Sequence, residues 1–236
     1  MRTLLIFGIL LTSAFAVRTS FGQGTVTVNL PGQEEAKTAM TAEEKKVFDR
    51  SVLPKIRSKL RNDVCEESVD ISGVLRGSFT KPAAAQTLVF YQFCQSGNGL
   101  GSAGVAIIEN GRVAANYVAP EAAWTLEARK LPDIDQNGLD EAVLYWSGGM
   151  HQGAGGSGAD IWEFSAAAAK GIGWFQAESF DDRSPVTGWK VTAQPAPRPR
   201  FFREKYTQTA AGKWRRSGRV LPFKLDPAVI TFSPLK

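Results

Sequence analysis

Between positions 133 and 141, oxygen-bearing side chains recur at every second residue, Asp133, Asp135 and Asn137, and Gly138 follows them. In that alternation a glycine-enabled bend turns several oxygens toward one focus. A hard divalent cation suits such a focus, because Ca2+ takes six to eight oxygen ligands at about 2.3–2.6 Å. The Leu139 carbonyl and Glu141, directly or through water, complete the expected set, and Asp140, one place off the rhythm, is expected to face outward. Asp and Asn also bond their own backbone in turns, so a metal-free Asx-rich turn is the competing reading.

The residues after the loop exclude an EF-hand. Position twelve is Leu144 instead of a bidentate Glu, and Ala142-Val143-Leu144-Tyr145-Trp146 reads as a buried strand where an EF-hand has a helix. The pattern D-x-D-x-N-G-x-x-E entering a strand, carried by Asp133, Asp135, Asn137, Gly138 and Glu141, resembles the calcium loops of FG-GAP and VCBS-type repeats, found in integrin-like propellers and many secreted bacterial proteins. A wider likeness, through Ser147-Gly148-Gly149-Met150-His151, is to single-copy secreted proteins with such a loop. The resemblance implies blade-like β-structure and a structural Ca2+. An internal repeat with an offset of 55 residues supports loop-plus-strand units: Phe79, Gln86, Leu88, Val89, Phe90 and Tyr91 superpose on Ile134, Glu141, Val143, Leu144, Tyr145 and Trp146. The first copy has lost its acids and is not expected to bind metal.

Other candidate chemistry is thinner. Gly99-Leu100-Gly101-Ser102-Ala103-Gly104 fits a dinucleotide fingerprint, but Val105 to Gly111 reads as a strand entering a turn where that motif needs a helix. His151, the single histidine, sits in a glycine-rich tract (148–158) that reads as a flexible loop, and no G-x-S-x-G elbow is present. A hydrolase using Glu141 or His151 is the enzymatic alternative to a non-enzymatic reading. Between 183 and 224 eleven Lys and Arg are opposed by Glu204 alone, with aromatics interleaved. Arg203, Lys205, Arg215 and Arg216 are the candidate contacts for a polyanion or cell-surface glycan; the competing reading is a pair of hairpins with solvated cations. Export argues against nucleic acid.

The elements that must position these residues are mainly β. Runs at 88–94, 104–109, 112–118, 124–129, 141–147, 159–165, 172–178, 189–193, 201–206 and 219–225 read as strands, and Asn110-Gly111 supplies the hairpin turn between two of them. Thr25 to Leu30 suits an edge strand. A capping box at Thr41 and Glu44, then Phe48, Val52, Ile56 and Leu60 on one face, predict a helix over 42–61, broken or kinked by Pro54. The expected architecture is a mainly β fold of antiparallel, propeller-blade-like sheets with one N-terminal helix, a β-sandwich or open α+β arrangement being the alternative.

Before these elements, Arg2, the apolar run Leu4 to Leu11 and Ala14-Phe15-Ala16 read as a cleavable export signal over 1–16, too short to span a bilayer. The expected organisation is a flexible leader (17–40), the helical part (41–64), a β domain with the acidic loop (65–193) and a basic β segment (194–236). Cleavage removes one positive charge and leaves 27 Lys and Arg of the original 28 against 23 Asp and Glu, a mild balance. In a secreted or periplasmic protein Cys65 and Cys94 are expected to pair, which would add about 3–4 kcal/mol by restricting the unfolded chain; two buried thiols are the alternative. The expected role is a secreted, non-enzymatic binding or scaffold module held by Ca2+.

Overall fold

The computed structural model describes residues 24–33, 38–60, 68–94, 101–151 and 153–235. The expected signal segment, residues 17–23 and 34–37 of the leader, and Cys65 lie outside the described residues.

Two antiparallel sheets stack face to face. The smaller is built from β2 (Val69–Gly77), β3 (Gln86–Phe93), β4 (Gly101–Glu109) and β5 (Arg112–Ala122), joined as a meander, with the short C-terminal β14 (Ser233–Pro234) added beside β5. Asn110 and Gly111, at φ 48° and 71°, make the turn between β4 and β5, the positive φ pair that a type I′ turn requires. The meander passes into the larger sheet: β6 (Trp124–Leu131), β7 (Glu141–His151), β8 (Ala154–Phe164), β9 (Ala169–Asp181), β10 (Ser184–Gln194), β11 (Arg200–Gln208) and β12 (Trp214–Arg216). Two short strands finish it, β1 (Val26–Asn29) on β10 and β13 (Leu221–Phe223) on β11. Among the described residues the sheets form neither a closed barrel nor a propeller, so the sandwich-like alternative of stacked antiparallel sheets holds in place of blades.

Strand alternation assigns each face its core. Leu88 and Phe90 of β3, with Ala103, Val105 and Ile107 of β4, meet Ala142, Leu144 and Trp146 of β7 and Trp162 and Phe164 of β8 between the sheets. The opposite residues of the larger sheet, Val143, Tyr145, Ala159, Ile161 and Phe175, form a second core with Val28, Val191, Ala193 and Phe201. The strands β3 and β7 therefore bury both faces, and this is why they read as continuous apolar runs.

The outer face of the smaller sheet is covered by the helical segment, α1 (Ala42–Ser51) and α2 (Leu53–Leu60). The break at Val52 precedes Pro54, which has no N–H to give the preceding turn. Val47, Phe48, Val52 and Ile56 pack on Val89, Tyr91, Phe93 and Ile108. Thr41 and Glu44 close the capping box, Glu44 accepting from the Thr41 N–H at 2.7 Å. Glu44 also accepts from Arg76 Nη2 at 2.8 Å and from Thr87 Oγ1 at 2.5 Å, fastening the helix start to β2 and β3. Burial opposes the charge on Glu44, but the bonds from Arg76, Thr87 and Thr41 prevail and hold its carboxyl at about 2.

Asp160 of β8, fully buried, accepts from the N–H groups of Val229 and Ile230 at 2.9 and 3.3 Å. That contact brings the C-terminal segment across the core, where Phe232 meets Trp162 edge to face at 4.9 Å and Phe164 at 6.1 Å. Phe232→Ala is expected to lower unfolding free energy by about 3–5 kcal/mol, against about 0.5 kcal/mol or less for Val229→Ala at an exposed position. Urea unfolding of the two variants checks this, and near-equal midpoints would show that the tail is not part of the core.

Candidate metal site in the loop between β6 and β7

The acidic loop is the connection between β6 and β7, whose ladder ends on the pair Leu131 and Glu141. Its anchor is Ile134, fully buried in the second core, whose N–H bonds Glu141 Oε2 at 3.1 Å. Around that anchor the Asx side chains fold the backbone onto themselves. Asp133 accepts from the N–H groups of Asn137 and Gly138 at 3.0 and 2.8 Å, and Asn137 Oδ1 accepts from the Leu139 N–H at 2.8 Å. The bend needs left-handed backbone at Gln136 (φ 64°) and Gly138 (φ 89°).

The bend brings Asp133, Asp135 and Glu141 to one focus, with one carboxylate oxygen of each within 4.8 Å of the others. Oxygens on opposite sides of an ion at about 2.4 Å are about 4.8 Å apart, so the cluster fits within one Ca2+ shell. Asn137 and Leu139 share the loop but are bonded to each other. Asn137 also donates from Nδ2 to Glu163 Oε2 of β8 at 2.9 Å. Glu163 is the participant that sequence reasoning missed, because its place beside the loop depends on strand register 26 residues away. Lys170 bonds Glu163 at 3.1 Å and reaches Asp135 at 4.0 Å. Burial first, then the Glu163 carboxylate, push the Asp135 carboxyl up.

Glu141 is fully buried, and among the described residues its Oε1 has no hydrogen-bond partner. Burial pushes its carboxyl up to about 8; the Ile134 N–H opposes the shift, and Asp135 and Asp133 add to it. A buried carboxylate close to two further carboxylates is costly unless a proton or a cation compensates it. Asp140, expected to face outward, turns inward instead. It accepts from the Ser78 N–H at 2.8 Å, and its own N–H bonds the Ser78 carbonyl at 2.8 Å, clasping the two loops together.

The first repeat copy shows the same frame with different chemistry. Gln86 opens β3 as Glu141 opens β7, and its Oε1 accepts from the N–H of Phe79, as Glu141 does from Ile134, both seven residues upstream. The Gln86 amide nitrogen is satisfied by Thr80 Oγ1 at 2.7 Å and Glu109 Oε2 at 2.9 Å. In the second copy the atom at that place is an oxygen, and it has no hydrogen-bond partner among the described residues.

The other sequence candidates are placed as follows. The tract 148–158, expected to be a flexible loop, forms the hairpin of β7 and β8, in which His151 pairs with Ala154. Its glycines serve packing: a Cβ at Gly156 would lie 2.4 Å from the Glu178 carbonyl, and one at Gly158 would meet the Trp174 ring. Gly101 to Gly104 begin β4, with no helix after them. No free thiol stands among the described residues, and Cys65 lies outside them. Arg203, Lys205 and Arg215 share one face of β11 and β12, and Arg216 lies on the other, paired with Glu204, so the four do not form one patch. A separate cleft of about 820 Å3 runs between the edges of β2 and β6, where the amide nitrogen of buried Gln92 has no hydrogen-bond partner among the described residues and Arg129 bonds Glu127 at 2.5 Å.

Comparison of the chain with protein-family models, with curated proteins and with solved structures returns no match.

The raised Glu141 carboxyl sets a pH dependence for the metal-free protein. Between pH 6 and 8 the folded state holds a proton that the unfolded chain has released. Stability therefore falls as pH rises through this window, approaching about 1.4 kcal/mol per pH unit, and levels off above about 8. Glu141→Gln, which copies Gln86, is expected to flatten the slope. Chelator-treated samples unfolded in urea at several pH values test it, and an unchanged slope in the variant would refute the assignment.

Proposed function

We propose that the chain is a secreted or periplasmic, non-enzymatic binding or scaffold module whose loop between β6 and β7 is fixed by a structural Ca2+. The observation that carries this reading is fully buried Glu141, whose Oε1 has no hydrogen-bond partner among the described residues and whose carboxylate clusters with Asp133 and Asp135. Asp133, Asp135 and Glu141 would supply carboxylate oxygens, and the Asn137 side chain and Leu139 carbonyl fill out the set read from the spacing. The ion would neutralise converging charges that the loop otherwise holds at a cost, and it would stabilise the fold because the unfolded chain has no such site.

Export fits the site, since extracellular modules of this kind bind with Kd of about 10⁻⁴–10⁻³ M and are filled only where calcium is abundant. It also fits the proposed Cys65–Cys94 disulfide, which needs an oxidising compartment. The hydrolase alternative is disfavoured because Glu141 is sealed from solvent and one of its oxygens is committed to the Ile134 N–H. A general base must reach its substrate.

Calcium at about a hundred times its Kd adds about 2.7 kcal/mol, which for a chain of this length raises the melting temperature by about 5–10 °C over chelator. Asp135→Ala is expected to abolish that difference. Thermal unfolding of both proteins in calcium and in chelator is the test. A calcium-insensitive parent protein, or an undiminished response in the variant, would overturn the proposal.

A further inference from the structure

Three cations of the basic C-terminal segment border apolar surface at one edge of the larger sheet. The edge strand β13 and the chain entering β11 frame an open groove of about 760 Å3, lined by the pairs Phe201–Phe223 and Phe202–Pro222 of the β11–β13 ladder. Arg198, Arg200 and Lys224 stand at its rim, and among the described residues none of the three forms an ion pair. The one acid between 183 and 224 is Glu204, which is buried and already paired with Arg216. Next to the groove Val220 and Leu221 are 52% and 41% exposed, and Arg203 lies over the Phe223 ring at 4.8 Å.

A hydrophilic polyanion satisfies only part of this surface, since the phenylalanines and proline that line it offer no hydrogen bonds to sugar or phosphate oxygens. Cations at one end of a short edge strand and exposed aliphatic side chains at its other end match an interface that is anionic outside and apolar just beneath, as a lipid headgroup layer is. We propose that this edge is a peripheral docking face for an anionic lipid bilayer, with Arg198, Arg200 and Lys224 on headgroup phosphates and Val220 and Leu221 entering the boundary below them. No helix among the described residues is long and apolar enough to cross a membrane, and docking of this kind needs none.

Each basic side chain near such a surface is worth about 1 kcal/mol, so removing three costs roughly a hundredfold in affinity. The experiment is sedimentation of the mature chain with vesicles of phosphatidylcholine containing about a third phosphatidylglycerol, at physiological salt, alongside vesicles of phosphatidylcholine alone. The expected result is binding to the anionic vesicles only, weakened about a hundredfold in the R198A/R200A/K224A variant. Leu221→Asp is expected to lose vesicle binding while keeping whatever retention on heparin the parent shows. Thermal melts confirm that both variants are folded. Absence of binding to the anionic vesicles, equal binding to neutral ones, or full binding by Leu221→Asp would each overturn the proposal, the last by showing a plain polyanion site.

Discussion

A side-chain oxygen buried where a long loop enters a central strand is the constraint on which the larger architecture depends. At the start of β3 it belongs to Gln86 and at the start of β7 to Glu141, and in each case it captures an N–H seven residues upstream. The loops cannot unwind without leaving that N–H and its acceptor unpaired inside the protein, a loss of about 1–3 kcal/mol for each stranded group. Phe79 and Ile134, the residues whose N–H groups are captured, are fully buried, so the same contact seats an apolar plug under each loop. Asp140 and Ser78 then tie the loops to one another across the two sheets.

The two copies differ in one functional group. An amide at Gln86 finds acceptors for its nitrogen and is complete as a structural joint. The carboxylate at Glu141 offers an oxygen where its counterpart offers a donor, and it does so beside Asp133 and Asp135. The proposed calcium loop is thus an ordinary joint of this fold with the sign of one atom reversed. Glu163 and Lys170 border it from the neighbouring strands and adjust its charge.

Packing distributes the remaining work. The helix closes the outer face of the smaller sheet, the C-terminal segment held by Asp160 fills the space between the sheets, and β1 borders the second core. The basic C-terminal sequence is therefore bound into the body of the protein through β11 and β14. Arg198, Arg200 and Lys224, none of them in an ion pair among the described residues, border the groove at the β13 edge.

Periodicity and turn chemistry act over a few residues, and the sequence by itself determined what depends on them: the mainly β character, the hairpin at Asn110-Gly111, the capped helix with its break near Pro54, and the Asp133, Asp135 and Glu141 grouping. The offset of 55 was equally legible, because equivalent loops need equivalent side chains. Tertiary structure alone decided the stacking of two sheets instead of blades in a ring, the inward turn of Asp140 toward Ser78, and the presence of Glu163 beside the loop. It also made a hairpin of the glycine tract, since the need for those glycines comes from Glu178 and Trp174 on the adjacent strand. Which cations share a face follows from strand register, and register is set by how distant apolar faces pack, a quantity no local spacing records.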